Sequence, residues 1–223
     1  PPRAKKTKSA ITFKETLRAL MNGKFVLFLV CCLLILTPSS VNSLYLSLFI
    51  EELGGSASSI AWSMFAAAVL EVPLFLLLDR MTKPTLRSLL PLLLSACAIF
   101  AGRWVMMGFV QSPTTIVFIQ CLHSISFGFF IYTAAQMVEL LTEKTYRASG
   151  QTMYALVQGA LTFVVAGSLG GYLYEQVGPH RLYLLCAGLT VFGFAGMLAL
   201  RAMVSSGPNH ADSPAADRKS TRL

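Results

Sequence analysis

Hydrophobic residues fall into six long runs along this chain, separated by short polar segments. We place the runs at about residues 25–50, 57–78, 88–110, 114–138, 149–174 and 181–201. Each run has the roughly 20 residues that an α-helix needs to cross a bilayer. The pattern therefore predicts an all-α membrane protein with six transmembrane helices.

The polar segments between the runs contain residues that end helices or face water. Acids, bases, glycines and prolines are concentrated in Glu51 to Ser56, Asp79 to Pro84, Gln111 to Pro113, Glu139 to Arg147 and Gly178 to His180. Such clusters are typical of turns and loops. They support the predicted boundaries of the six helices.

Composition divides the chain into three regions. These are a basic segment at 1–24, a transmembrane domain at 25–201 and a polar tail at 202–223. The tail is rich in Ser, Pro, Ala, Asn and Asp, which is typical of disorder, and its last residues look like translated read-through of a sequencing adapter. A chain that starts at Pro1 within a basic segment is predicted to be a fragment. Ser9 to Met21 has the pattern of a short amphipathic helix on the membrane surface.

The overall composition supports a membrane location. Of the 223 residues, 55% are hydrophobic and 13% are charged, and the mean hydropathy is +0.64. Soluble domains have about 25% charged residues. The net charge of +8 comes from bases at the start, in short loops and in the tail. That distribution indicates membrane topology and argues against a nucleic-acid partner.

The bases also predict the orientation of the helices. Seven precede the first run, and the loops after the second and fourth runs are basic, whereas the loops on the other side contain only Arg181. Loops rich in Lys and Arg remain in the cytoplasm. We therefore expect both ends to be cytoplasmic in a multi-pass protein of the cell (plasma or inner) membrane.

The five cysteines do not suggest a disulfide or a metal site. Their number is odd, and all of them lie within apolar runs, at Cys31, Cys32, Cys97, Cys121 and Cys186. No pair has metal-ligand spacing with a His partner. We interpret them as small apolar packing residues, and we expect no metal.

Three ionisable residues lie within the predicted spans, on three different helices: Glu71, Arg103 and His123. Charge inside a bilayer is costly and is therefore a default indication of function. Glu71 and Arg103 have two interpretations, a structural ion pair or a substrate or proton site. His123 is either a neutral, hydrogen-bonded core residue or a titrating member of a proton relay.

Polar neighbours favour a site. Gln120 lies three residues before His123 on the same helical face, and Phe127 follows one turn later. Asn42, Tyr154 and Gln158 add hydrogen-bonding groups on other helices. Aromatic rings with a few polar groups suit a small amphipathic organic ligand.

Two features of the helices can be explained either by helix kinking and packing or by a function. Pro38 with Ser39 and Ser40 indicates either a simple kink or a helix break against a wet cavity. Gly167 and Gly171 have the spacing that lets two helices approach closely. Packing is the simpler explanation for these glycines.

Motifs of soluble enzymes are absent. The sequence contains no H-E-x-x-H, G-x-S-x-G or P-loop, and no nucleophile–base set can be named. We therefore predict that the protein is not an enzyme and has no cofactor, apart from a proton as coupling ion.

The segment after the second run resembles the loop motif G-x3-D-R-x-G-R of the major facilitator superfamily. Asp79, Arg80 and Lys83 match the Asp, the Arg and the final base, whereas Phe75 and Thr82 replace the two glycines. The resemblance covers about residues 13–201. It implies a loop-motif or gating role for Asp79, Arg80 and Lys83.

Other stretches look like the phenylpropionate permease and nucleoside–proton symporter branch, which is related to lactose permease. They are Glu71-Val72, Arg103 to Gly108, Gln120 to His123, Ser149 to Gln151 and Gly170 to Tyr174. In lactose permease, a membrane Arg and a Leu-His pair belong to the substrate–proton machinery, and here they fall on Arg103 and Leu122-His123. The Glu that follows that His by three residues is Ser126 in this chain. Glu71 or an acid in the missing half of the transporter would therefore have to carry the proton.

The resemblance implies a C-terminal half, a 3+3 inverted repeat, of a twelve-helix transporter that rocks against an N-terminal six-helix half. Residues 1–24 would then be the loop between the halves. The first and fourth helices of this half, which carry Asn42 and His123, would line the cavity. The implied function is proton-coupled symport of a small organic solute, such as an aromatic acid, a nucleoside or a sugar. The alternative is a non-transporting receptor or assembly protein on the same scaffold.

Overall fold

The computed structural model describes residues 13–205, and this part of the chain is helical without β-strands. The α-helices are α1 (Phe13–Leu20), α2 (Gly23–Glu52), α3 (Ala57–Val69), α4 (Glu71–Met81), α5 (Leu86–Phe109), α6 (Pro113–Leu141), α7 (Arg147–Leu156), α8 (Thr162–Val165) and α9 (Gly171–Ser205). A short 3₁₀ helix (Lys144–Tyr146) precedes α7, and two π-helical turns (Val157–Leu161 and Ala166–Gly170) flank α8.

Within residues 13–205, five helical stretches are long and apolar enough to cross a membrane. They are Gly23–Glu52, Ala57–Arg80, Leu86–Phe109, Pro113–Leu141 and Lys144–Val204. The first four correspond to the first four predicted helices. The fifth has 61 residues and covers both the fifth and the sixth predicted helices.

This last stretch reverses direction at Gly178, where the backbone has a φ of 78°. Before the reversal, Thr162 contacts Ser40 and Tyr174 contacts Glu52, so this arm runs parallel to α2. After it, Tyr183 contacts Asn42, so the chain returns antiparallel to α2. A positive φ is readily adopted only by glycine, which explains why Gly178 marks the turn. We call the two parts the rising arm (147–177) and the returning arm (179–205).

The second predicted helix is interrupted, in contrast to the single span expected at 57–78. α3 ends at Val69, Leu70 is a joint, and α4 begins at Glu71. The backbone of Leu70 stays in the right-handed helical region, with a φ of −85° and a ψ of −13°. The helical hydrogen bonding is therefore interrupted at Leu70, but the chain makes no sharp turn there.

α2 is continuous through Pro38, although the proline removes one backbone donor. Of the two interpretations of Pro38, a helix break against a wet cavity is therefore not formed. Thr37 instead donates its hydroxyl to the carbonyl of Leu33, and Ser43 donates to that of Ser39.

The core lies between α2, α5, α6 and the returning arm, while α3 and α4 pack along one side of α6. Its largest fully buried side chains include Phe25, Phe28, Phe49, Phe100, Trp104 and Tyr183. Cys31, Cys32, Cys97 and Cys186 are also buried there, as expected for packing residues.

The two ends of the described chain differ from the predicted regions. The amphipathic segment expected at Ser9 to Met21 includes α1, and its first residues, 9–12, lie outside the described range. α9 extends to Ser205, so residues 202–205 are helical and do not belong to the predicted disordered tail. The remainder of that tail, 206–223, lies outside the described residues.

Candidate functional site

A cleft of about 240 Å³ lies between α2, α6 and the rising arm. It is lined by three hydroxyl groups, one amide, two phenyl rings, one aliphatic side chain and a glycine: Ser39, Ser40, Ser43, Gln158, Phe127, Phe163, Leu36 and Gly159. All eight of these residues are uncharged. The surface thus offers hydrogen-bonding groups beside aromatic faces.

The cleft lies at mid-height of the helices that form it. Phe127 is the central residue of the 29-residue α6, and Ser39 and Ser40 are within three residues of the centre of α2. Transporter folds place their substrates at this depth, near the bilayer midplane. The cleft therefore lies near the middle of the membrane-length helices α2 and α6.

A π-helical turn and two hydrogen bonds of Thr162 position the polar groups of the rising arm beside the cleft. Gln158 and Gly159 belong to the first π-helical turn, which adds an extra residue to the helical repeat. Thr162 donates its hydroxyl to the carbonyl of Gln158 (2.6 Å) and accepts from Ser40 (3.0 Å). These bonds hold the rising arm against α2 beside the cleft.

Arg103 and Gln120 form a buried pair between α5 and α6. Arg103 Nη1 donates to Gln120 Oε1 at 3.4 Å, and only 1% and 2% of the two residues are exposed. The guanidinium carbon of Arg103 lies 4.0 Å from the centroid of the Trp104 ring. Arg103 Nε and Nη2 have no hydrogen-bond partner among the described residues. Within the described residues the guanidinium therefore has no acidic partner, and it contacts one neutral acceptor and the rings of Trp104 and Phe100.

Asn42 lies outside the lining of the cleft. It accepts a hydrogen bond from the hydroxyl of Tyr183 at 3.2 Å, and the Tyr183 ring stacks on Trp104 at 5.9 Å between centroids. Sequence reasoning missed Tyr183, because a lone Tyr in an apolar run resembles an interface anchor. The contact links α2 to the Arg103 pair through the returning arm.

His123 lies beside the cleft. Its ring stacks on Phe127 at 5.0 Å between centroids, and Phe127 lines the cleft. Nδ1 of His123 is buried without a hydrogen-bond partner among the described residues. Gln120, His123 and Phe127 thus follow one another along one face of α6, from the partner of Arg103 to the lining of the cleft.

Glu71 is not part of this group. It begins α4 and is partly exposed, and it forms no ion pair with Arg103 in the described structure. The structural ion pair considered from the sequence is therefore not formed. Tyr154 is buried against Phe28, and its hydroxyl has no partner among residues 13–205.

The loop-motif residues lie at the end of α4. Asp79 and Arg80 are exposed in its last turn, and Lys83 is exposed in the turn before α5. They are at the same end of the bundle as the α6 terminus at Leu141, because α3, α4 and α6 run in the same direction.

Sequence reasoning missed four members of the cleft: Leu36, Ser43, Gly159 and Phe163. Ser43 follows Ser39 by one helical turn, so a search for hydroxyls along one face of α2 would have found it. No pattern in the sequence indicated Phe163, because the direction of its side chain depends on the π-helical turns on either side of α8.

Comparisons with known proteins identify the family. A model of the MFS_1 like family matches residues 2–185. The chain is 27% identical over 205 residues to the uncharacterized transporter YwbF of Bacillus subtilis (strain 168), covering 90% of this chain and 49% of that protein. It is 29% identical over 192 residues to the maltose permease of Geobacillus stearothermophilus, covering 86% and 48% respectively.

The chain thus spans about half the length of the curated relatives that it matches. The family and both relatives indicate a transporter rather than an enzyme. An all-helical bundle with several membrane-length apolar helices agrees with that assignment. Because the family model matches well over half of its residues, the chain belongs to the MFS_1 like family.

Proposed function

We propose that this chain forms the C-terminal six-helix half of a secondary active transporter, which moves a small organic solute by alternating access with a proton as coupling ion. The other half would be an N-terminal six-helix unit. The solute class is an aromatic acid, a nucleoside or a sugar, as in the lactose-permease-like branch. Both ends of the chain would be cytoplasmic in the cell membrane.

The observation that carries the proposal is the mid-height cleft with Phe127, Gln158 and the α2 hydroxyls. Its walls come from α2 and α6, the first and fourth membrane helices of the chain. Hydroxyl and amide groups next to phenyl rings can orient an organic solute and cover its apolar faces. A cleft of this size suits a solute shared with a facing domain.

Two further features support the proposal. The rising and returning arms pack against α2 in opposite directions, so the 61-residue stretch has the course of two crossings. The buried Arg103 and the partly buried Glu71 supply charges whose interactions can differ between two states. A ligand can drive a conformational change only through such differences.

Transport by the full-length protein in reconstituted vesicles tests the proposal. Radiolabelled maltose, uridine and phenylpropionate are supplied with an imposed proton gradient, and we expect one of them to accumulate unless a protonophore is added. Phe127→Ala should raise the KM for that solute about tenfold, because an aromatic contact worth about 1.4 kcal/mol is lost.

Phe118→Ala is the matched control, since Phe118 lies on the same helix and is 70% exposed. Its KM should equal that of the unmodified protein. Equal effects of the two substitutions would exclude the cleft as the solute site. If the protonophore does not change the accumulation of the solute, the proton is excluded as the coupling ion.

A further inference from the structure

The joint between α3 and α4 leaves backbone carbonyl groups that need partners. The last four carbonyls of a helix have no donor within that helix, and here these belong to residues 66–69. The backbone N–H of Leu70 donates to the carbonyl of Ala68. Inside a membrane the others cannot turn to water, so they must be satisfied by protein groups.

Ser124 on α6 supplies the missing donor. Its Oγ lies 2.5 Å from the carbonyl oxygen of Ala67 and 3.4 Å from that of Ala66, and its side chain is fully buried. Hydroxyls within a helix ordinarily donate to a carbonyl of their own preceding turn. Ser126 and Thr133 do so on the same helix. Ser124 instead donates to the end of α3.

Gly128, one turn further along α6, contacts the other side of the joint. A Cβ atom at this position would lie 2.7 Å from Cδ2 of Leu74, in the first turn of α4. The glycine therefore allows α4 to approach α6 closely. Two successive turns of α6 thus contact the end of α3 and the start of α4, and Glu71 lies between these contacts.

We propose that Ser124 is a positioning residue for Glu71: by bonding the carbonyl end of α3, it holds the joint against α6 and fixes the depth and direction of the Glu71 carboxylate. The proposal rests on the proposed function in one respect, the role of Glu71 in proton coupling. The link from Ser124 to the joint depends only on the geometry.

Hydrogen–deuterium exchange of the full-length protein tests that link without any solute. Ser124→Ala should speed exchange in the peptide spanning residues 66–78 by about fivefold, because one buried hydrogen bond is lost. Ser126→Ala, which removes a hydroxyl bonded only within α6, should leave the same peptide unchanged. Identical exchange in the two variants would overturn the proposal.

Transport tests the consequence for Glu71, using whichever of maltose, uridine or phenylpropionate the unmodified protein moves. Glu71→Gln should abolish proton-driven accumulation but retain solute exchange across the membrane, which needs no net proton movement. Ser124→Ala should reduce accumulation several-fold with exchange retained, and Ser124→Thr should restore it. In the Glu71→Gln background, Ser124→Ala should cause no further loss.

The outcomes separate the two proposals. Full accumulation by Glu71→Gln would refute the coupling role of Glu71, whatever Ser124 does. Loss in Glu71→Gln together with normal accumulation in Ser124→Ala would refute the positioning role alone. If Ser124→Ala does not reach the membrane, Ser124→Cys provides the same comparison, because a thiol is a weaker donor of similar size.

Discussion

At the scale of single residues, Arg103 is a charged side chain that is almost completely buried in the described bundle. Its guanidinium is buried with one neutral acceptor, Gln120, and two nitrogen atoms without described partners. Cation–π contact with Trp104 compensates part of the desolvation, by about 2 kcal/mol in a dry site. The Gln120 amide is therefore important for tolerating this charge.

Gln120→Ala should lower the free energy of unfolding by about 1.5–3 kcal/mol, the usual value of a hydrogen bond to a charged group. Thermal unfolding in detergent measures the effect. Gln158→Ala is the control, because no hydrogen bond of the Gln158 side chain is formed within residues 13–205, and its unfolding should be nearly unchanged. Equal destabilisation by the two substitutions would contradict this account of Arg103.

The sequence indicated which residues are unusual but could not indicate their partners. Arg103, His123 and Glu71 stand out because they interrupt apolar runs, and counting residues along a helix gives their depth. The partner of Arg103 depends on how α5 is rotated against α6, which follows from packing along the whole interface. The sequence thus suggested Glu71 as a possible partner, whereas the structure places Gln120 there.

At the scale of helices, glycines allow the returning arm to approach α2. A Cβ atom on Gly193 would lie 2.6 Å from Cγ1 of Ile35 and 3.3 Å from the carbonyl oxygen of Cys31. Gly188, on the same arm, has nothing within 4 Å of such an atom. The two glycines therefore differ in how much space surrounds them.

Gly193→Val should destabilise the protein by about 1–3 kcal/mol, because the added atoms force two packed helices apart. Gly188→Val should lower the free energy of unfolding much less, because the space around Gly188 is open. The two substitutions are matched, since each places the same β-branched residue in the same helix. Thermal unfolding of the pair checks this prediction. A larger effect at Gly188 would show that the described α2 interface is wrong.

Helices were more predictable than the irregularities within them. The apolar runs located the first four membrane helices to within a few residues at most ends, because bilayer thickness dictates their length. The joint at Leu70 has one signal in the sequence, Pro73, which lacks the N–H that would bond the carbonyl of Val69. The π-helical turns beside Gln158 had no such signal. The contact of the joint with α6 depends on Ser124, a donor on another helix, which periodicity does not reveal.

At the scale of the whole molecule, charge is distributed unequally between the two ends of the bundle. Lys24, Arg80, Lys144 and Arg147 lie at the end that includes Leu141, whereas Arg181 follows the turn at the opposite end. Because bases remain in the cytoplasm, the first end should be cytoplasmic.

Single cysteines test this orientation in a background without other cysteines. A membrane-impermeant maleimide should label Ser112→Cys in intact cells, whereas Lys83→Cys should react only after permeabilisation. Both positions are in turns between helices, so they serve as controls for each other. The reverse pattern would contradict the proposed orientation.

Protection of the cleft by solute is the most direct test of the central claim, that this cleft holds the transported solute. Ser43→Cys lines the cleft, and its neighbour Leu44→Cys lies outside the lining on a side chain that is 44% exposed. Whichever of maltose, uridine or phenylpropionate accumulates should slow maleimide labelling of Ser43→Cys and leave Leu44→Cys unaffected. Equal labelling of Ser43→Cys with and without that solute would contradict the claim.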